Sequence, residues 1–356
     1  MRKFLSFVGV CACFILSFIL IRGTNASKSG MDSGGRNDRR QSQHAATMLV
    51  FGDVNLGRTV GQKILSDEID YPFQKISLEP HSVDIVFGNL ESQLSDQDGE
   101  TQDPGHNMIF TGPPNGAKAL ASFGFTHVST ANNHAFDYGK EALFETLDHL
   151  DDEGIAHVGT TRSVEGLYQP LVFERGGIRF ALFAVTDLMN FKNGWHDFVA
   201  VTDTGKLFPA LREAASLVDV VVVSFHGGEE YGDGPSSRVK NFAEDCVRQG
   251  AKVFLGHHPH VAYGIQEMNG CYIFHSLGNF VFYQPQLFWT QVSVCAELRF
   301  EKNDSTTTVA SVECIPLSVG YQPSLLSDST IARQLQHRVQ SLSNIPITWT
   351  TRGHLN

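Results

Sequence analysis

The sequence predicts an α/β fold built on more than one sheet. Apolar runs typical of buried strands alternate with amphipathic segments typical of helices over most of the chain, which favours a sheet covered by helices. The last third is richer in strands, because residues 291–300 and 307–317 predict a hairpin, and we assign it to a second sheet packed on the first. A chain of 356 residues with 42% hydrophobic content can bury such a core.

The predicted strands are short runs of apolar and β-branched residues bounded by glycine, asparagine or charged side chains. Runs of this length are too short for ordinary helices and match the buried strands of a parallel sheet. The most apolar of them contains the valines at 220–223. The predicted strands comprise residues 47–51, 83–87, 126–131, 179–185, 219–225, 251–255 and 271–275.

Helices are predicted between these strands from apolar positions at helical spacing and from end signals. Residues 115–123 end at Gly124, and residues 140–153 end at Gly154; glycine favours the left-handed backbone that closes a helix. The remaining predicted helices comprise residues 208–218 and 237–249.

The N-terminus predicts export. Residues 4–21 form an unbroken apolar run behind Arg2 and Lys3, long enough to span a bilayer and longer than the apolar part of most signal peptides. We therefore interpret residues 1–26 as a membrane anchor or a signal peptide. The positive-inside rule places the rest of the chain outside the cytoplasmic membrane as a single-pass protein, or secreted if cleavage occurs near Ala26.

The remaining chain divides into three parts by composition. Residues 27–46 are polar and rich in serine, glycine and asparagine, which predicts a flexible linker. Residues 47–320 form the predicted folded domain, and residues 321–356 predict a weak helix and a C-terminal tail.

The net charge and the cysteines restrict the partners and the cysteine chemistry that the chain can have. The net charge of −11 opposes binding of a nucleic acid, so we expect no nucleic-acid partner. The four cysteines beyond the N-terminal segment show no metal-binding spacing, and either disulfides or buried free thiols fit them. These cysteines, all in predicted helices or strands, are Cys246, Cys271, Cys295 and Cys314.

Polar and ionisable side chains follow the apolar strands where the strands end. The carboxyl ends of parallel strands meet at one edge of a sheet, where ligand sites collect. The groups predicted to gather there are Asp53, Asn89, Glu91, Asn133, His134, His226, His258 and His260.

This set of side chains predicts a divalent-metal site. His257, His258 and His260 lie within four residues of each other, directly after an apolar strand. Imidazole nitrogen and carboxylate oxygen together suit Zn²⁺, Mn²⁺ or Fe²⁺. Two such ions would stabilise an in-line displacement and supply a hydroxide near neutral pH. The sequence contains no serine nucleophile elbow, Walker loop or dinucleotide-binding fingerprint.

Each residue also has a structural interpretation. Asp53 could form a turn at the end of its strand. Asn132 and Asn133 are common turn residues, and His134 could be a polar cap on the same loop. Asn279 could fix a loop through its amide. The order of all the strand-end groups, rather than any single one, favours a site.

Six motifs occur in order along the predicted domain. They are Gly52-Asp-Val-Asn-Leu-Gly-Arg58, Asn89-Leu-Glu91, Ala131-Asn-Asn-His-Ala-Phe-Asp-Tyr-Gly139, Ser224-Phe-His-Gly-Gly-Glu-Glu-Tyr231, Gly256-His-His-Pro-His260 and Ser276-Leu-Gly-Asn-Phe280. This ordered set resembles the CapA/PgsA family of poly-γ-glutamate capsule synthesis proteins, and the resemblance covers about residues 48–282. It implies a membrane-anchored protein with a calcineurin-like metallophosphoesterase fold, which is a four-layer α/β/β/α sandwich.

The resemblance also implies roles for individual residues. Asp53 and His134 would be catalytic. The implied metal ligands are Asp53, Glu91, Asn133, His226, His258 and His260. The candidate substrate-binding residues are Arg58, Asn132, Glu230, His257 and Asn279.

The chain departs from the phosphoesterase pattern at several positions. Asn55 stands where a histidine ligand is usual, and Glu91 is our candidate for the bridging carboxylate because Asn89 replaces the usual aspartate. One, two or no ions of Mn, Zn or Fe are therefore compatible with the pattern. Gly227 replaces a usual tryptophan, which we expect to open the pocket wall.

Three functions follow. In the first, the site binds or cleaves an anionic polyglutamate polymer, with the membrane and polymer-synthase membrane subunits as partners. In the second, the protein is an exported phosphoesterase acting on nucleotides or other phosphoesters. In the third, the fold is a catalytically inactive binding scaffold.

Overall fold

The computed structural model describes residues 44–304 and 306–350. The helices are α1 (Arg58–Leu65), α2 (Gly116–Phe123), α3 (Gly139–Asp152), α4 (Thr204–Leu217), α5 (Ser237–Arg248) and α6 (Ser329–Ser341). The strands are β1 (His44–Val54), β2 (Ile85–Leu90), β3 (Gln93–Leu94), β4 (Thr111–Gly112), β5 (His127–Ser129), β6 (Ala156–Val158), β7 (Leu171–Arg175), β8 (Ile178–Thr186), β9 (Val220–His226), β10 (Val253–His257), β11 (Ile265–Met268), β12 (Cys271–Phe274), β13 (Asn279–Val281), β14 (Val292–Lys302), β15 (Thr307–Ser318), β16 (Ser324–Leu325) and β17 (Thr348–Trp349).

The larger sheet has the strand order β16-β15-β14-β1-β2-β5-β6. Strands β1, β2, β5 and β6 are parallel neighbours, whereas β14 runs antiparallel to β1. The predicted hairpin is confirmed as β14–β15, but its assignment to a second sheet is wrong. The hairpin extends the first sheet, because β14 pairs with β1 from His44↔Lys302 to Val50↔Ala296.

The second sheet has the order β11-β12-β10-β9-β8-β7 and is formed by the middle of the chain. Its central strands β8, β9, β10 and β12 are parallel. Strand β9 is buried at every residue, as its valine run predicts.

Three apolar clusters define the layers. One lies between the sheets and includes Met48 and Phe87 from the larger sheet and Val222 from the smaller. A second packs the outer face of the larger sheet against α1 and α2, and a third packs the smaller sheet against α4 and α5. The predicted four-layer α/β/β/α sandwich is therefore confirmed.

The ends of the domain differ in detail from the predicted boundaries. Strand β1 begins at His44, within the segment predicted as linker. Residues after 320 contribute α6, whose Leu335 and Val339 join the core between the sheets, and β17, which pairs with β15. The predicted anchor, residues 1–26, lies outside the described residues, and within residues 44–304 and 306–350 no helix has the length and apolar character needed to cross a bilayer.

The four cysteines of the domain are free thiols in the structure. Cys246, Cys295 and Cys314 are buried, and Cys271 is half-buried. Cys295 belongs to the cluster under the outer helices, whereas Cys314 belongs to the cluster between the sheets. The two side chains therefore lie on opposite faces of the β14–β15 hairpin.

We predict that acid destabilises the fold in part through His127. This buried ring packs 4.2 Å from Phe173, and burial, with a contribution from the charge of Arg175, lowers its pKa from 6.5 to about 4. Below pH 6.5 His127 therefore binds a proton in the unfolded chain, whereas in the folded chain it binds one only near pH 4. Stability therefore falls as the pH decreases through this window.

His127→Phe keeps the ring packing and removes the titration. The free energy of unfolding should fall between pH 7 and pH 5 in both proteins. We expect this decrease to be smaller in the variant than in the native domain by on the order of 2 kcal/mol, as measured by urea denaturation. The exposed His106→Phe is the matched control. Equal losses in all three proteins would contradict the prediction.

Candidate metal centre

The site lies where the carboxyl ends of strands from both sheets meet. Asp53 of β1 is in register with Asn89 of β2, and His226 of β9 is in register with His257 of β10. The backbone N–H of His258 donates to Asp53 Oδ2 at 3.2 Å, so the two sheets are joined at this point. The predicted gathering of these strand ends is confirmed, and it involves two sheets rather than one edge.

Close backbone approach explains the glycine before Asp53. A Cβ atom on Gly52 would lie 1.8 Å from the carbonyl oxygen of Gly278. The same contact lets β13 pair beside β1, with Asp53 in register with Asn279. Gly52 is thus required for the position of the carboxylate and not only for a turn.

Asp53 is fully buried and surrounded by donors. Its Oδ1 accepts from Asn89 Nδ2 at 2.9 Å and lies 3.4 Å from His257 Nδ1, while its Oδ2 lies 3.5 Å from His260 Nδ1. Burial by itself raises the pKa of Asp53, but His257, His260 and Asn89 together hold it below its ordinary value. Asp53 is therefore ionised at neutral pH.

Glu91 is also fully buried, but both of its oxygens lack a hydrogen-bond partner among the described residues. Its Oε1 lies 4.0 Å from His134 Nε2, 3.8 Å from His226 Nε2 and 3.9 Å from His260 Nε2. Burial, and then the charge of Asp53, raises the pKa of Glu91 well above its ordinary value. A carboxylate in this position is costly unless a cation joins it.

Two sets of ligand atoms could hold an ion, and Glu91 belongs to both. One set is Glu91, His258 and His260, and the other is Asp53, Glu91 and His226; within each set the ligand atoms lie within 4.8 Å of one another. The unpartnered Glu91 oxygens and the unpartnered Nδ1 of His258 fit a divalent ion. Glu91 is therefore the carboxylate common to both sets, and its bridging role stays a prediction.

The histidines are held in the neutral form that a metal requires. Burial lowers the pKa of His226 well below its ordinary value and lowers those of His258 and His260 to about 4. The Nδ1 of His260 donates to Asn279 Oδ1 at 2.9 Å, which leaves the lone pair of its Nε2 facing Glu91. This arrangement fixes the tautomer of a ligating histidine.

Backbone strain accompanies these histidines. His258 and His260 have φ values of 93° and 58°, in the left-handed region that residues other than glycine rarely adopt. Strain of this kind persists where the surrounding structure imposes it and clusters at functional sites.

Asn133 and His134 lie on the loop after β5. The Oδ1 of Asn133 lies 2.8 Å from His226 Nε2, so its amide faces the candidate ligands. The Nδ1 of His134 lies 2.7 Å from Asp137 Oδ2, and because a carboxylate only accepts, Nδ1 is the donor. The other ring nitrogen of His134 faces Glu91.

The predicted substrate-binding residues occupy different depths. Asn132, His257 and Asn279 are buried. The amide of Asn132 donates to the carbonyl of Leu90 and accepts from the N–H of His134, and the amide of Asn279 donates to the carbonyl of Thr290. Glu230 is exposed and Arg58 is partly exposed, so these two are accessible from the outside. Their roles in substrate binding stay predictions.

Other residues complete the site or correct an expectation. Asp137 was not singled out from the sequence, although its spacing of three residues from His134 was a usable signal. The Oδ1 of Asn55 accepts from the N–H of Gly57 at 2.7 Å, so this residue shapes a turn.

Gly227 does not open the pocket wall as expected, because a Cβ there would lie 2.7 Å from the Cβ of Asp187, which fills that space.

Comparison with known proteins identifies the family. Residues 47–284 match the bacterial capsule synthesis protein family PGA_cap. The chain belongs to this family. It is 28% identical over 344 residues to the PGA biosynthesis protein CapA of Bacillus subtilis, with 92% of this chain and 86% of that protein covered. It is also 28% identical over 298 residues to the capsule biosynthesis protein CapA of Bacillus anthracis, with 79% and 69% covered. The predicted resemblance is confirmed.

Solved structures with a related fold are more distant from this PGA_cap member. The calcineurin-like phosphoesterase YfkN of Bacillus subtilis has a TM-score of 0.46 and 13% identity over 84% of this chain and 98% of that chain. A putative 5'-nucleotidase of Staphylococcus aureus has a TM-score of 0.45 and 13% identity over 84% and 58%. The four-layer architecture itself follows from the packing of the two sheets and their helices.

We predict opposite effects of Glu91→Gln without and with metal. In the metal-free protein the native Glu91 has to take up a proton on folding at neutral pH, because its pKa is raised well above its ordinary value. Glutamine does not pay this cost, so the free energy of unfolding should rise by on the order of 1–3 kcal/mol. With saturating Mn²⁺ the native protein should become the more stable of the two, because only it retains the shared ligand.

The measurement is thermal unfolding in EDTA and in excess Mn²⁺. Glu141→Gln, at an exposed position on α3, is the matched control and should not change the response to metal. If Glu91→Gln is destabilising in EDTA and gains as much from Mn²⁺ as the native protein, the prediction is wrong.

Proposed function

We propose that this protein acts in the synthesis or export of poly-γ-glutamate capsule polymer and uses a divalent-metal centre to bind or cleave the polymer or an intermediate. The two CapA relatives are named for PGA biosynthesis and capsule biosynthesis, which supports poly-γ-glutamate as the polymer. The observation that carries the metal centre is the buried carboxylate of Glu91, unpartnered among the described residues and surrounded by histidine nitrogens.

Five side chains would hold the ion. Asp53 and Glu91 provide carboxylate oxygens, and His226, His258 and His260 provide neutral imidazoles. When bound, a divalent ion supplies a Lewis acid that polarises a carbonyl or phosphoryl oxygen. We assign its identity to Mn, Zn or Fe from the mixture of nitrogen and oxygen ligands.

His134 is suited to move a proton beside this centre. Asp137 holds the proton on Nδ1, and the same Asp137 oxygen accepts from the backbone N–H of Phe110 at 3.1 Å. The ring also stacks on Phe110 with centroids 4.1 Å apart, which fixes its plane. Its Nε2 thus faces the site in one orientation, as a general acid or base requires.

We further propose that the protein is located at the cell envelope. The apolar run at residues 4–21 would anchor it in the cytoplasmic membrane, with the domain on the outer side. In that position its partners would be the membrane, the anionic polymer and the membrane subunits of the polymer synthase. The length and flanking charges of the run support this proposal.

Metal analysis tests the centre. We expect elemental analysis of a soluble protein that begins at His44 to find about one or two equivalents of transition metal, in line with the one- and two-ion sites built from such ligands. His258→Ala/His260→Ala should lose it. Absence of metal from the native protein after incubation with Mn²⁺ and Zn²⁺ would exclude the metal centre and favour a binding scaffold.

Substitution of His134 separates metal binding from chemistry. We expect His134→Asn to retain the metal content and to lower the rate of cleavage of a γ-glutamyl peptide by about 10²–10⁴-fold, because general acid–base catalysis supplies that factor. Asp137→Asn should lose a smaller part of the rate. Cleavage of phosphoesters but not of γ-glutamyl peptides by the native protein would favour the phosphoesterase, and an unchanged rate in His134→Asn would exclude this role.

A further inference from the structure

Arg58 is fixed at the edge of the metal centre by an unusual backbone. It is the first residue of α1 and has a φ of 54°. Its N–H donates to the carbonyl oxygen of Thr101 at 2.9 Å, and its own carbonyl accepts from Thr101 Oγ1 at 2.9 Å. Both ends of the residue are thus held in a conformation that only surrounding structure maintains.

The guanidinium lies against two aromatic rings that also contact the candidate site. Its central carbon is 4.4 Å from the ring centre of Phe110 and 5.9 Å from that of Phe282. Phe110 stacks on His134 at 4.1 Å, and Phe282 lies 4.8 Å from His260. A single aromatic ring therefore separates Arg58 from the proposed proton donor, His134, and another separates it from the proposed metal ligand His260.

The hydrogen bonds of the guanidinium are incomplete. One terminal nitrogen donates to the carbonyl oxygen of Asn107 at 2.8 Å, whereas Nε is buried and has no partner among the described residues. An arginine has five donors in a planar fork that matches a carboxylate or a phosphate. A buried donor without a partner marks a place where an acceptor is missing.

The groups around Arg58 are acidic, so a single positive charge is important for binding an anion at this place. Glu91 and Asp137 are close enough to influence its guanidinium, and the exposed Glu230 adds a further acidic group near Glu91. The whole chain has a net charge of −11. An anionic ligand is therefore repelled from most of this surface and needs a local positive group besides the metal.

We propose that Arg58, between Phe110 and Phe282, forms an oxyanion-binding subsite that takes the α-carboxylate of a γ-linked glutamyl unit beside the metal centre. The polymer as ligand rests on the proposed function. The two buried aromatic rings exclude water from one side of the guanidinium, which strengthens a charge-assisted hydrogen bond to the ligand. A phosphate group shares the same oxyanion chemistry, and the experiment separates the two sources.

The test combines a change in the protein with a change in the ligand. Calorimetry with the Mn²⁺-loaded protein measures binding of a γ-linked glutamate decamer, of the same peptide with amidated α-carboxylates, and of inorganic phosphate. We expect Arg58→Gln to bind the decamer about 10–100-fold more weakly than the native protein. The amidated peptide should bind both proteins equally, and Arg58→Lys should restore part of the loss.

Controls distinguish this role from a structural one. Arg212→Gln removes the same charge from an exposed position on α4 and should bind like the native protein. Metal content and melting temperature of Arg58→Gln show whether the site is intact, and a loss confined to the carboxylate-bearing decamer is not expected from misfolding.

Several results would overturn the proposal. Equal binding of the decamer to Arg58→Gln and to the native protein would exclude the subsite and leave the polymer function standing. Native protein that binds phosphate in an Arg58-dependent way but not the decamer would retain the oxyanion subsite and exclude the polymer as its ligand. Native protein that binds neither probe would exclude the subsite, whatever its metal content.

Discussion

The buried carboxylate of Glu91 is the constraint on which the site depends. A carboxylate fully removed from water without a hydrogen-bond donor is among the most costly groups that a folded chain can carry. Asp53, close by, makes a second negative charge still more costly, so the two carboxylates separate into one ionised and one neutral group. A divalent ion would reverse this cost, because both carboxylates and the neutral histidines could serve as its ligands.

The packing of two sheets holds these buried charged and polar groups together. Asp53 belongs to the larger sheet and the histidine loop to the smaller one, and the hydrogen bond from His258 to Asp53 crosses between them. The apolar cluster between the sheets holds these strand ends together. His258 and His260 have left-handed backbones within this arrangement, and each is bonded to a neighbouring strand, His258 to Asp53 and His260 to Asn279.

Acidic groups surround the centre, and Arg58 is a positive group at its edge. The interior of the site is acidic and its outer edge carries Glu230, so attraction by the surface as a whole does not bring a polyanion to it. Under the proposed function, positive charge for the polymer would be supplied locally, by the ion and by Arg58. Aromatic rings lie between this arginine and the candidate residues His134 and His260, so the proposed anion subsite would lie beside the proposed proton donor and metal ligand.

The sequence by itself determined the α/β class, most strands and helices, and the strand-end groups of the site, including Asp53, Glu91 and His226. This succeeded because side chains after parallel strands gather at one end of each sheet, although only the structure shows that the ends of the two sheets meet. Only the tertiary structure decided that the β14–β15 hairpin joins the first sheet, since partner choice by an antiparallel strand depends on long-range packing. It alone also decided which group reaches the centre after β2: Asn89 bonds to Asp53, while Glu91, two residues on, turns its carboxylate toward the histidines. The reach of a side chain depends on the turn of the backbone that carries it, and spacing in the sequence does not specify that turn.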